Sequence, residues 1–247
     1  AFCGEYNNKI MGTYADFAVF SFYATKSITC GEGGAIITNH KKYSEIIKSI
    51  SNNGMTKPAF KRFVNNKYIP WDVYNYGFKA NLSDINASIL KEQIINYPKT
   101  AILKKKLFLR YKSYLNKIKQ ISLPEENRNK QRDYYLFPIG VNKKYRNKLI
   151  EHLLKNKTFV TVNFRSISEL NYYKKKYKKI NCPKSEKWGK ETISLPFHTK
   201  LKIKEIQKVC EQIKKFFIEN KLFFKLINFQ GQVVNLVYFL NQKDKYL

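Results

Sequence analysis

Acidic residues are scarce in this chain of 247 residues: Asp and Glu total 18 against 47 Lys and Arg, for a formal net charge of +29. Such a charge suggests nucleic acid or an anionic membrane as a binding partner. The excess is spread along the chain, however, and it accompanies abundant Asn, Ile, Tyr and Phe, a set that AT-rich coding produces. We therefore expect no nucleic-acid partner, although a basic surface would attract small anions.

Cysteines are few and long hydrophobic runs are lacking. No pair among the four cysteines has CxxC spacing, and the three histidines are not clustered near them, so we expect neither a zinc site nor a disulfide framework, and no metal. A cytoplasmic location suits this cysteine usage, and no signal peptide is apparent. The uncharged run Leu226–Leu240 is interrupted by Asn, Gln and Gly, so we expect no membrane span.

The hydrophobic content of 43% and aromatic content of 15% are typical of a chain that folds, with room for one large or two modest domains. Amphipathic and strand-like patterns alternate. They predict strands at 16–22, 35–38, 134–141 and 158–164 and helices at 41–50, 83–96, 103–118, 145–155 and 203–217. Tyr97-Pro98 is predicted to end the second helix, and 52–71 is predicted to be irregular. Inward positions are predicted at Leu149, Ile150, Leu153 and Leu154, and at Ile203, Ile206, Val209, Cys210, Ile213, Phe216 and Phe217.

One lysine stands out, because Lys26 lies between the strands at 16–22 and 35–38 and is followed by Gly31, Gly33 and Gly34. A lysine at a strand end, beside backbone that a ligand can approach closely, suits an amine that attacks a carbonyl. The alternative is a solvated surface lysine, with glycines that only supply a turn. The glycines do not form a phosphate-binding P-loop, since no Gly-Lys-Ser/Thr follows.

The stretch FSFYATKSITCGEGG (20–34) resembles the lysine motif of the DegT/DnrJ/StrS-type sugar aminotransferases, which use pyridoxal phosphate (PLP). Further segments occur in that family's order: SNNGM (51–55), Lys61-Arg62-Phe63, Trp71-Asp72-Val73, GFKANLSDINAS (77–88), Gln93 and Ser194-Leu195-Pro196. The resemblance covers about residues 1–218. It implies an α/β fold, namely the C-terminal part of a fold-type I PLP-dependent transferase (aspartate aminotransferase-like).

The resemblance also implies a domain organisation. Residues 1–100 would be the remainder of the large PLP-binding domain, 101–220 the small α/β domain, and 221–247 an unassigned tail. The chain begins with Ala1, and in the family the residues just before this point carry an aspartate for the pyridine nitrogen and a nearby histidine. We therefore expect an N-terminally truncated fragment that is inactive alone.

The chemistry that the resemblance implies is transamination. Lys26 would hold PLP, glutamate would donate the amino group, and a nucleotide-linked keto sugar, typically 4-keto-6-deoxy, would receive it for surface polysaccharide (such as lipopolysaccharide) or glycan biosynthesis. The freed amine would move a proton between the substrate carbon and the cofactor. The enzyme would be a cytoplasmic homodimer with its active site at the subunit interface.

The resemblance assigns four further residues. Ser21 would contact the cofactor phosphate; its alternative is a strand serine satisfied by backbone. Asn81 would reach the phosphate of the neighbouring subunit, or else serve as a turn or capping residue. Trp71 and Tyr74 would flank the sugar nucleotide, or else pack in the core. Two other functions stay open: a catalytically incomplete remnant of such an enzyme, and a basic nucleic-acid-binding module.

Overall fold

The structure is a computed structural model that describes residues 2–55, 63–64, 66–125, 130–131, 133–177 and 180–220. The chain divides into two compact units: unit 1 comprises Ala1–Leu103 and Glu126–Tyr135, and unit 2 comprises Lys104–Glu125 and Leu136–Leu247. The segment Glu126–Tyr135, which was predicted to belong to the second domain, thus groups with the first unit. The predicted tail at 221–247 lies outside the described residues.

Unit 1 contains short antiparallel strand pairs and one short helix. Strand β1 (Glu5–Tyr6) pairs with β2 (Lys9–Ile10) and β8 (Lys130–Gln131), β3 (Ala18–Ser21) pairs with β4 (Gly34–Ile37), α1 spans Lys41–Ile50, and β5 (Phe63–Val64) pairs with β6 (Lys67–Tyr68). The predicted helix at 41–50 is confirmed. The prediction of irregular chain at 52–71 is wrong at β5 and β6, where Asn66 makes the tight turn with a φ of 60°.

The pairing of β3 with β4 places Ser21 opposite Gly34. Residues 22–33, which we call the lysine loop, leave one strand and return to the other. The loop is anchored by its apolar side chains, because Phe22, Ile28 and Cys30 are buried in a cluster with Leu90 and Tyr97. The chain around Lys26 therefore has its own core contacts.

Helix α2 runs without interruption from Asp84 to Leu115. Ser83 begins it as predicted, since its Oγ accepts a hydrogen bond from the amide of Asn86 at 3.2 Å. The predicted end at Tyr97-Pro98 is wrong, because Pro98 lies inside the helix. An interior proline costs about 3 kcal/mol. Burial of Leu90 and Tyr97, on the same helix, contributes a similar or larger amount at roughly 1.5–3 kcal/mol per large apolar side chain.

Unit 2 contains a three-stranded antiparallel sheet in the order β10-β9-β7 and several helices. Its strands are β7 (Ile121–Ser122), β9 (Phe137–Val141) and β10 (Thr192–Leu195), its helices are α3 (Lys143–Lys155), α4 (Asn171–Lys176), α5 (Pro183–Glu191) and α6 (203–220), and a 3₁₀ turn covers Ile167–Glu169. The predicted helices at 145–155 and 203–217 are confirmed. Asn142 caps α3 by accepting from the amide of Lys144 at 3.1 Å.

The apolar stripe of α6 is buried as predicted from Ile206 to Phe217, and Cys210 is a core residue. Two predicted inward positions are wrong: Leu154 is 43% exposed and Ile203 is 38% exposed. Both lie in a terminal turn, where the buried face of a helix has less to pack against.

The predicted strand at 158–164 is wrong, because only Thr161 forms a bridge, to Ser194 of β10. The two aromatic residues of this segment, Phe159 and Phe164, are exposed, whereas Thr158 is buried.

Candidate functional site

The lysine loop is held by backbone hydrogen bonds close to its ends. Phe22 donates to the carbonyl of Gly33 at 2.8 Å, and its own carbonyl accepts from the amide of Cys30 at 3.1 Å and the hydroxyl of Thr29 at 3.0 Å. Within the loop, the amide of Lys26 donates to the carbonyl of Tyr23 at 2.9 Å, which makes a tight turn. The lysine is therefore presented by a closed, hydrogen-bonded loop.

Two side chains lie close to position 33 of the loop. A Cβ there would lie 2.8 Å from the Sγ of Cys30 and 2.9 Å from the Cδ1 of Leu82. Gly33 thus permits the loop to lie directly against the segment that leads into helix α2. This close approach gives one of the motif glycines a packing role.

A cavity of about 380 Å³ in unit 1 is lined by both Lys26 and Ser21. Ser27, Asp133 and Tyr135 also line it, with Phe2 at one side. The ammonium nitrogen of Lys26 lies 5.9 Å from the centre of the Tyr135 ring, within cation–π range. The volume falls in the range of about 300–1,000 Å³ that is common for small-molecule sites.

Asp133 contributes a carboxylate to this cavity, and both of its oxygens take part in hydrogen bonds. Its Oδ2 accepts from the Ser27 hydroxyl at 2.7 Å and from the Phe2 amide at 3.1 Å, and its Oδ1 lies 3.0 Å from the hydroxyl of Tyr97. Sequence analysis missed Asp133, since 106 residues separate it from Ser27. No motif in the sequence marks this pairing.

The hydroxyl of Tyr97 also lies 2.9 Å from the carbonyl oxygen of Phe2. Burial, and then the charge and hydrogen bond of Asp133, raise the pKa of Tyr97 far above its ordinary value. Tyr97 therefore stays a neutral hydroxyl at any pH at which the protein would work. It acts as a fixed link between helix α2 and the N-terminal segment.

Asn81, Trp71 and Tyr74 are not among the described residues that line the cavity. Asn81 is exposed, two positions before the helix-capping Ser83. Trp71 and Tyr74 are 46% and 77% exposed, so the alternative that they pack in the core is wrong for the described chain. Their binding roles stay predictions.

The cavity residues fit PLP in their chemistry. The Lys26 amine suits an aldehyde carbon. Within the described parts of the chain, the Oγ of Ser21 accepts a single long hydrogen bond, 3.4 Å from the amide of Tyr23, so its hydrogen can be donated to a phosphate oxygen. The Ser27 hydroxyl, in contrast, already donates its hydrogen to Asp133.

The described residues contain no group of His, Cys, Asp and Glu side chains arranged to hold a metal ion. None of their helices is both long and apolar enough to cross a membrane. The four cysteines are free thiols.

Sequence comparison gives matches over most of the chain. The model of the DegT/DnrJ/EryC1/StrS aminotransferase family matches residues 1–214. The protein MJ1066 of Methanocaldococcus jannaschii is 31% identical over 88% of this chain and 58% of its own length. The spore coat polysaccharide biosynthesis protein SpsC of Bacillus subtilis is 26% identical over 85% of this chain and 56% of its own length.

Solved structures give the same picture. PseC of Helicobacter pylori, an aminotransferase involved in the biosynthesis of pseudoaminic acid, matches with a TM-score of 0.80 and 25% identity over 89% of this chain and 58% of its own. The sugar aminotransferase Spr1654 of Streptococcus pneumoniae, described as putative and solved in its PMP form, matches with a TM-score of 0.80 and 26% identity over 87% of this chain and 56% of its own. The chain thus spans less than three fifths of each of these proteins.

Proposed function

Because the chain belongs to the DegT/DnrJ/EryC1/StrS aminotransferase family, we propose that it forms the lysine-bearing part of a PLP-dependent sugar aminotransferase, with Lys26 as the residue that carries the cofactor. The observation that supports this most directly is the cavity that Lys26 shares with Ser21. The chain spans 58% and 56% of two relatives. The activity is therefore proposed for the whole protein.

When bound, PLP supplies an electron sink for the carbon that loses or gains a proton. The Nζ of Lys26 would hold the cofactor through its aldehyde carbon and, as a free amine, would move a proton at the substrate carbon. The hydroxyl of Ser21 would donate a hydrogen bond to the cofactor phosphate. The Tyr135 ring, whose centre lies 5.9 Å from the Nζ, restricts where the amine can move.

For the substrates, we propose glutamate as donor and a nucleotide-linked keto sugar, of the 4-keto-6-deoxy kind, as acceptor. SpsC acts in polysaccharide biosynthesis and PseC in that of pseudoaminic acid, which supports a role in surface polysaccharide or glycan synthesis. The net charge of +29 favours a diphosphate-bearing substrate. Exposed Trp71 and Tyr74 are proposed to flank it.

We further propose a cytoplasmic homodimer in which the exposed Asn81 reaches the cofactor phosphate of the second subunit. A stable coloured complex is expected only once the chain is joined to the N-terminal segment of a relative. The direct test therefore measures only whether PLP attaches to Lys26. The chain is incubated with PLP, reduced with borohydride, and mapped by peptide mass spectrometry.

Lys9 offers a matched control, because its Nζ lies 5.7 Å from the centre of the Tyr14 ring but outside the cavity. We expect the label on Lys26 in the wild type and in Lys9→Ala, and its loss in Lys26→Ala. Labelling of Lys26 no faster than that of Lys9 would refute the proposal. DNA affinity that falls steeply with salt, together with unselective labelling, would instead favour a nucleic-acid-binding module.

A further inference from the structure

We infer that Asp133 is a positioning residue that fixes the lysine loop so that Lys26 is held ready for cofactor attachment; the inference rests on the proposed function. Three separate stretches of chain meet at its carboxylate: Ser27 of the lysine loop, Phe2 of the N-terminal segment and Tyr97 of helix α2. The first two lie 106 and 131 residues away in sequence. All three belong to unit 1.

The hydrogen bond to Ser27 is the contact that reaches the lysine. Ser27 directly follows Lys26, so the 2.7 Å bond from its hydroxyl to Oδ2 restrains the backbone that carries the amine. The side chain of Lys26 itself is exposed, so this restraint acts through the backbone.

The segment that carries Asp133 also supplies Tyr135. The amide of Tyr135 donates to the carbonyl of Asp133 at 2.6 Å, and this turn points the Tyr135 ring into the same cavity. Lys26 is thus restrained twice from one short segment. Asp133 holds the hydroxyl of the next residue, Ser27, and the centre of the Tyr135 ring lies 5.9 Å from the Lys26 ammonium nitrogen.

A count of hydrogens shows which substitution should preserve the arrangement. The Tyr97 hydroxyl has one hydrogen and faces two acceptors, the Phe2 carbonyl at 2.9 Å and Oδ1 of Asp133 at 3.0 Å. In Asp133→Asn, the amide NH₂ can donate to the Tyr97 oxygen while Tyr97 donates to Phe2. The remaining amide oxygen still accepts from Ser27 and Phe2. Asp133→Ala, in contrast, removes both side-chain oxygens, so Ser27, the Phe2 amide and Tyr97 all lose their acceptor on residue 133.

The experiment compares borohydride-trapped PLP at Lys26 with that at Lys9, in one digest, for the wild type, Asp133→Ala, Asp133→Asn and Ser27→Ala. We expect the Lys26 to Lys9 ratio to fall about tenfold or more in Asp133→Ala and Ser27→Ala, because the amine loses its fixed position. Asp133→Asn should retain the wild-type ratio. Rescue by Asn is not expected of a residue that acts by its charge.

A wild-type ratio in Asp133→Ala, or an Asp133→Asn variant as slow as Asp133→Ala, overturns the inference while leaving Lys26 as the attachment site. A wild type that does not favour Lys26 overturns the proposed function, and the inference with it. Ser27→Ala removes a single hydroxyl and leaves the other bonds of Asp133 in place. It therefore keeps the test decisive where Asp133→Ala fails to fold, as judged by far-UV circular dichroism.

Discussion

Replacing Gly77 by alanine should destabilise unit 1 strongly, because two backbone segments touch at this point. A Cβ on Gly77 would lie 2.0 Å from the nitrogen of Gly54 and 2.5 Å from the carbonyl carbon of Asn53. Ordinary contacts begin at 3.4 Å, so the segments would have to separate by roughly 1 Å or more.

The size of the effect follows from what holds the segments together. The amide of Asn53 donates to the Phe78 carbonyl at 3.0 Å, and the amide of Phe78 donates to the Ile50 carbonyl at 2.7 Å. Overpacking costs about 1–3 kcal/mol, and each hydrogen bond lost adds about 0.5–1.5 kcal/mol. We expect a loss of about 4 kcal/mol in the free energy of unfolding, or roughly 8–16 °C in melting temperature.

Gly31→Ala is the matched control, because Gly31 has a φ of +86° but no described atom lies within 4 Å of the position that its Cβ would take. It should cost only the strain of a side chain at positive φ, about 1 kcal/mol or roughly 2–4 °C. Guanidinium unfolding followed by far-UV circular dichroism measures both variants. A Gly77→Ala variant no less stable than Gly31→Ala would refute the steric argument.

Three further outcomes are expected. Pro98→Ala, at an exposed interior position of α2, should raise the free energy of unfolding by about 2 kcal/mol in denaturant titration, since it restores a helical N–H. Thr192→Val should raise the free energy of unfolding by about 1 kcal/mol, because the buried Thr192 hydroxyl has no hydrogen-bond partner among the described residues. Its control is Thr158→Val, which removes a 2.7 Å hydrogen bond to Gln212 and should lower the free energy of unfolding in the same titration. Burial raises the pKa of Cys210 to about 12, so its alkylation, followed by mass spectrometry, should be far slower than that of exposed Cys182. Because the pKa of Cys210 is higher in the folded state, its contribution to stability should be intact below pH 9 and decline as the pH rises toward 12, a dependence that Cys210→Ala removes.

The family and the α/β fold were predictable from the sequence, and both predictions are confirmed by the matches. The reason is that the motif around Lys26 is local: strand, loop and strand occur within residues 18–37. Helices α1 and α3 were predictable for the same reason, since apolar spacing and flanking residues lie within each segment.

The wrong predictions concern features decided by distant contacts. Pro98 ends a helix by local rules, but burial of side chains along α2 keeps the helix intact. The aromatic residues at 159 and 164 locally favour a strand, yet no surface covers them in the described chain. Asp133 could not be found at all, because its partners lie in three other stretches of sequence.

The sequence distance between Ser27 and Asp133 has a consequence for synthesis on the ribosome. Translation, at about 5–20 residues per second, delivers Ser27 106 residues before its carboxylate partner, Asp133. A nascent chain halted before Asp133 would carry Lys26 on a loop that lacks this one anchor. Selective attachment of PLP to Lys26 is therefore expected only after Asp133 has been added to the chain.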